Sequence, residues 1–220
     1  MGLCPRIIIL HSLFIIYSRN MSSSTVASRI HCPAGIVAGN LITKTLRQEY
    51  YGRIAGGAGS RSPENYQRAQ IELGTGGIPC VKTSTRINKR TKEMRHDIAQ
   101  PMKRDDGFDW TEDFDGKQVF DEKEVFINLK SVVGTGGSQT RTLRDECYPF
   151  VEAQLQYLLN SKNTTQHFAN IFDGDEAAAK MRMYNYLLGL PEYSAVRSQV
   201  YVGDLRGYFS WIQSKLQEEV

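Results

Sequence analysis

Asp115-Gly116-Lys117-Gln118-Val119-Phe120-Asp121-Glu122-Lys123-Glu124-Val125-Phe126-Ile127-Asn128-Leu129-Lys130 reads as two strands joined by a charged turn. Lys117–Phe120 is a short strand, Asp121-Glu122-Lys123 the turn, and Glu124–Val133 a longer strand rich in Val, Phe and Ile. Centring the turn between Glu122 and Lys123 puts Asp115 opposite Lys130 and Asp113 opposite Val132. Opposed residues of this kind bring their Cβ atoms to roughly 5 Å. Because strand side chains alternate, Asn128 and Lys130 share one face and Leu129 takes the other. A carboxylate beside an ammonium on an otherwise apolar strand builds a poor core, but it suits a metal ion and a water. Each residue also has a plain structural explanation, since Asp-Gly is a common turn pair and a strand-end lysine can snorkel.

Downstream, apolar residues at Leu143, Cys147, Phe150, Val151, Leu155, Leu158 and Leu159 follow a helical period. Pro149 must then mark the first turn of that helix or a kink in it. His167–Phe172 is a further strand. Glu176–Leu188 is a helix capped by Asp173 or Asp175 and stopped near Gly189 and Pro191. Gln199–Val202 and Tyr208–Leu216 close the chain as strand and helix. The order hairpin, helix, strand, helix, strand, helix defines an α/β sandwich.

Upstream, Asn65–Leu73 reads as a helix ended by Gly74-Thr75-Gly76-Gly77, and Leu41–Tyr51 as a shorter one. Residues 56–63 read as a loop and residues 82–100 as a basic helix or loop. Gly-Thr-Gly-Gly recurs at 134–137, but neither copy leads into Gly-Lys-Ser/Thr, so a nucleotide P-loop is unsupported. The four histidines show no metalloprotease spacing.

Charge is distributed unevenly. Eight basic residues against Glu93 and Asp97 give +6 over Lys82–Arg104, whereas nine acids against Lys117 and Lys123 give −7 over Asp105–Glu124. Two solvated surface segments would explain this, and so would a metal-dependent enzyme acting on a polyanion. Cys4, Cys32, Cys80 and Cys147 are widely spaced, which favours reduced thiols and an intracellular, cytoplasmic setting. Residues 1–20 carry an apolar run too short to span a bilayer, followed by Met21 and a polar Ser22-Ser23-Ser24-Thr25. Met21 is the expected initiator; the alternative is a secretory signal peptide. The organisation is therefore an extension at 1–20, a helical and basic region at 21–104, and a core at 105–220.

Asp115, a hairpin and Asn128-Leu129-Lys130 together resemble the PD-(D/E)xK pattern of restriction endonucleases and repair nucleases. Asp106-Gly107-Phe108-Asp109-Trp110-Thr111-Glu112-Asp113-Phe114-Asp115-Gly116 is similar to restriction endonucleases of bacteria and large DNA viruses. So is Gly136-Gly137-Ser138-Gln139-Thr140-Arg141-Thr142-Leu143-Arg144, and residues 170–175 and 200–205 fit the closing strands. The resemblance covers residues 105–212, about half the chain. It implies a restriction-endonuclease-like mixed sheet flanked by helices, Mg²⁺ as cofactor, double-stranded DNA as substrate and a homodimer. Asp115, Asn128, Lys130 and Glu146 would be catalytic, and Gln139, Arg141 and Arg144 would contact DNA. Asp115, the Leu129 carbonyl and a helix acid would bind the metal. Asn128 departs from the pattern, because a neutral amide replaces the middle acid. Glu146 is the candidate for the missing carboxylate, with Asp145 and Glu152 as alternatives. The competing expectation is a DNA-binding or assembly protein with this fold and no chemistry.

Overall fold

Val125, Phe126, Ile127 and Leu129, like Phe168, Ala169, Ile171 and Phe172, are all buried, whichever way the pleat turns them. Such buried runs, each interrupted by one buried asparagine (Asn128 and Asn170), belong to strands covered on both faces. The computed structural model describes residues 62–96, 109–131, 141–173 and 175–217. Its main sheet has four strands, β3 (Gly116–Phe120), β4 (Lys123–Ser131), β5 (Gln166–Asp173) and β6 (Val200–Gly203), in that spatial order. The first pair is antiparallel, and β4–β5 and β5–β6 are parallel. A separate two-stranded ribbon pairs β1 (Arg86–Ile87) with β2 (Met94–Arg95).

Helices cover both faces. On one side α2 (Tyr148–Ser161) and α3 (Asp175–Gly189) pack Phe150, Val151, Leu155, Leu158, Tyr184 and Leu187 against Phe126, Phe168 and Phe172. On the other, α1 (Ser62–Gly74) and α4 (Leu205–Gln217) pack Ile71, Tyr208, Phe209 and Ile212 against Val125, Ile127, Leu129 and Ile171. The protein is therefore a mixed α/β sandwich. Burying each such side chain contributes about 1.5–3 kcal/mol. Gln118, fully buried on β3, joins the second layer: its amide donates to Thr75 Oγ1 and the Ile78 carbonyl at 2.8 Å each, and Tyr208 OH donates to its Oε1 at 2.8 Å.

Three local features differ from the sequence expectation. Phe120 pairs with Lys123 and Gly116 with Ile127, so the hairpin turns on Asp121 and Glu122 instead of between Glu122 and Lys123. Asp121 takes φ +53°, a conformation that suits two-residue hairpins and that Asp tolerates better than most. The register slides by two residues, which moves Asp115 away from Lys130 as a ladder partner but keeps every side chain on its expected face.

The helix expected from Leu143 to Leu159 is two pieces. Thr142–Cys147 forms a π-helix, in which the Tyr148 N–H donates to the Leu143 carbonyl five residues back. It runs into α2, whose first turn holds Pro149. Proline lacks the N–H that would reach residue 145 and its ring crowds that carbonyl, so a widened turn there relieves both problems.

The basic stretch, as far as residue 96, is neither helix nor plain loop but carries the β1–β2 ribbon. Asn88 Oδ1 accepts the N–H groups of Arg90 and Thr91 at 2.9 Å each, which fixes its tip. Residues 1–20, the helix read at 41–51, the glycines at 134–137 and the capping contacts of Asp173 and Asp175 lie outside the described residues and side chains. Among the described residues, Cys80 and Cys147 are buried free thiols, and no helix is long and apolar enough to cross a membrane.

Candidate active site

Gly116 starts the β3 ladder because a Cβ there would sit 2.6 Å from Cys80 Sγ. One residue earlier the chain bends at Asp115, which sends Phe114 into the α2 layer. There its ring lies 4.8 Å from Phe150 and 5.4 Å from Phe168. The bend leaves β4 without a partner on its β3 side beyond Ile127, and the Asp115 carboxylate takes that place: its Oδ2 accepts the Leu129 N–H at 2.7 Å. The Arg68 guanidinium holds the Asp115 carbonyl, also at 2.7 Å. Burial pushes the Asp115 carboxyl up to about 7; the Leu129 hydrogen bond and the charge of Lys130 pull the other way and do not cancel it.

Lys130 stands near the end of β4 with its ammonium donating to Glu112 Oε2 at 2.8 Å. Burial pulls this ammonium down, but the hydrogen bond and charge of Glu112, joined by the charge of Asp115, outweigh it and hold Lys130 above its ordinary value. Lys130 and Glu112 open onto a cavity of about 410 Å³ that Arg86, Lys89, Trp110, Glu146 and Cys147 also line. Cys147 is buried there, and burial raises its thiol to about 12, so it is no nucleophile at neutral pH. Arg86 donates to the Thr111 carbonyl at 2.9 Å and meets Asp113 at 3.3 Å, while its Nε is buried without an acceptor among the described residues.

The structure thus brings Lys130 and Glu146 to one cavity, with Asp115 close enough for its charge to act on Lys130. Asn128 is not among the cavity residues. It is 1% exposed and donates to Asn170 Oδ1 at 3.2 Å, across the β4–β5 pair in which the two residues are opposite. Gln154 of α2 donates to the same oxygen at 3.1 Å and accepts from Asn170 at 2.7 Å. Asn128 is therefore a core amide tying β4 to β5 and α2, and not a group facing solvent or substrate. Of the other acids weighed, Asp145 lines the cavity but is held by Arg144 at 2.6 Å. Glu152 acts on Tyr148 and Tyr193 instead. Arg141, flanking the π-helix, and Arg144, on it, are exposed and outside the cavity lining, and Gln139 lies outside the described residues.

Glu112, Arg86 and Lys89 are the cavity residues that sequence reasoning missed. Glu112 stands in the quoted acidic stretch, but nothing in its spacing pointed to Lys130, because the bend at Asp115 interrupts the alternation that would have placed it. Among the described residues, no group of three His, Cys, Asp or Glu side chains is arranged to hold a metal ion. No protein-family model, curated protein or solved structure matches the chain.

Proposed function

We propose that this chain is a Mg²⁺-dependent endonuclease of the restriction type, hydrolysing phosphodiester bonds in double-stranded DNA as a homodimer. The observation that carries the reading is Lys130, an ammonium kept charged by Glu112 and Asp115 and opening onto a cavity shared with Arg86, Lys89 and Glu146. Glu112 and Glu146, which both line the cavity, are the carboxylates that would hold the ion there, because Mg²⁺ prefers hard oxygen donors, keeps several waters and needs only one or two carboxylates. Bound there, it would supply charge to a phosphate oxygen and lower the pKa of a water.

The protein's own groups do the rest. Lys130, held protonated, cannot take a proton from water; it donates to the attacking water or to the phosphate and balances the negative charge that builds on phosphorus. Arg86, which lines the cavity, adds positive charge facing a phosphate. Lys89 lines the cavity from the ribbon tip, and Arg90, exposed beside it, adds backbone attraction without sequence information. Two-fold symmetry suits the cutting of both strands of a palindrome.

A second reading has its own observation. Asn128 occupies the motif's acid position and is committed to the core, which favours a DNA-binding protein that does not cleave. Plasmid incubated with the purified protein separates the two. Discrete fragments with Mg²⁺ and none with EDTA support the endonuclease; intact plasmid bound by a folded protein supports the second reading.

A further inference from the structure

A second opening lies on the far side of the turn that lines the cavity. Asp145, Glu146, Cys147 and Pro149 face the cavity, whereas Arg144 and Tyr148 join Lys180, Arg182, Met183 and Tyr186 of α3 around a groove of about 590 Å³. The two openings share no lining residue. Arg182 and Tyr186, four apart, and Lys180 and Met183, three apart, are neighbours along α3. Tyr184, between them in sequence, turns inward instead and donates to the Leu143 carbonyl, which fixes α3 against the π-helix.

The groove combines cations with one open aromatic ring. Tyr186 is 69% exposed, the most exposed large hydrophobic side chain among the described residues. Arg144 is paired with Asp145, but none of the ion pairs among the described residues involves Lys180 or Arg182. Among the described residues, no carboxylate lines the groove. Cations beside the exposed Tyr186 ring match a ligand that presents phosphates and bare base faces together. A duplex hides its base faces in the stack, so the match is to an unpaired strand.

We infer that the groove between the π-helix turn and α3 binds single-stranded nucleic acid, with Tyr186 stacking on a base and Lys180 and Arg182 holding phosphates. The binding does not require the neighbouring cavity to be catalytic.

The test measures anisotropy of a fluorescein-labelled oligo(dT) and of a duplex of equal length, with the full chain in EDTA so that no cleavage intervenes. Tyr186→Ala is expected to weaken oligo(dT) binding about tenfold and to leave duplex binding unchanged, while Tyr186→Phe keeps both. Replacing Lys180 and Arg182 by Ser is expected to reduce the salt slope of oligo(dT) binding by about 1.4. These positions lie at the surface, and unchanged circular dichroism would certify the fold. Failure of the folded wild type to bind oligo(dT), or equal affinity of wild type and Tyr186→Ala, would overturn the inference. So would self-association that Tyr186→Ala abolishes while oligo(dT) binding persists. Loss of the endonuclease reading would appear separately, as intact plasmid with Mg²⁺ alongside unimpaired oligo(dT) binding.

Discussion

The carboxyl group of Asp115 accepts the Leu129 N–H and, through burial, titrates near 7 where a free carboxyl has 3.8. A carboxyl raised on folding makes the native state hold more protons between those values, so its contribution to stability falls as the pH rises from about 4 to about 7 and stays low above. Asp115→Asn keeps an acceptor oxygen and removes the charge. In metal-free urea titrations the variant is expected to exceed wild type in stability at pH 8, with the gap closing toward pH 4. A gap that widens in acid would contradict the buried carboxyl. Asn128 gives the opposite lesson. Restoring the motif with Asn128→Asp would bury a carboxylate against Asn170 Oδ1, and is expected to cost about 2 kcal/mol or more with no gain in cleavage. Equal stability together with faster cleavage would show that the position faces the metal after all. Glu112 supports Lys130 directly. Glu112→Gln is expected to slow cleavage about 10- to 100-fold, as loss of a residue orienting a reactive group commonly does.

At the scale of elements, the close approach of α1 to α4 is set by Gly74. A Cβ there would lie 2.1 Å from the Phe209 ring, whose neighbours fill the second layer. Gly74→Ala is therefore expected to destabilise the fold by about 1–3 kcal/mol in chemical denaturation, and an unchanged midpoint would contradict the packing described. The elements themselves were largely legible. The apolar runs of β4 and β5, each interrupted by one asparagine, and the helical period of α2 declared their type because burial on one or both faces dictates them, whereas α3 was marked by its flanking stop signals. Register was not legible: Asp121-Glu122-Lys123-Glu124 contains no Asn-Gly or Asp-Gly pair to mark the turn centre, which the ladder places one residue earlier, shifting the pairing by two. The π-helix was half legible, since Pro149 announced a disturbance but not the extra residue that accommodates it.

For the whole molecule, the alternation of hairpin, helix, strand, helix, strand, helix produced the expected mixed sheet with helices on both faces. The site was less legible than the sheet. Lys130 and Glu146 line one cavity, and Glu112 and Arg86 enter it through contacts spanning 18 and 25 residues that no local period encodes. Asn128 looked like a defective ligand because a sequence shows the motif position and not the amide partners, Asn170 and Gln154, that occupy it. The central claim concerns Lys130, and one comparison tests it: plasmid cleavage with Mg²⁺ by wild type and Lys130→Ala, with duplex binding measured for both. The expected result is discrete fragments from wild type and at least about 100-fold slower cutting by a variant that still binds. Equal cleavage by the variant, or none by folded wild type, would contradict the account.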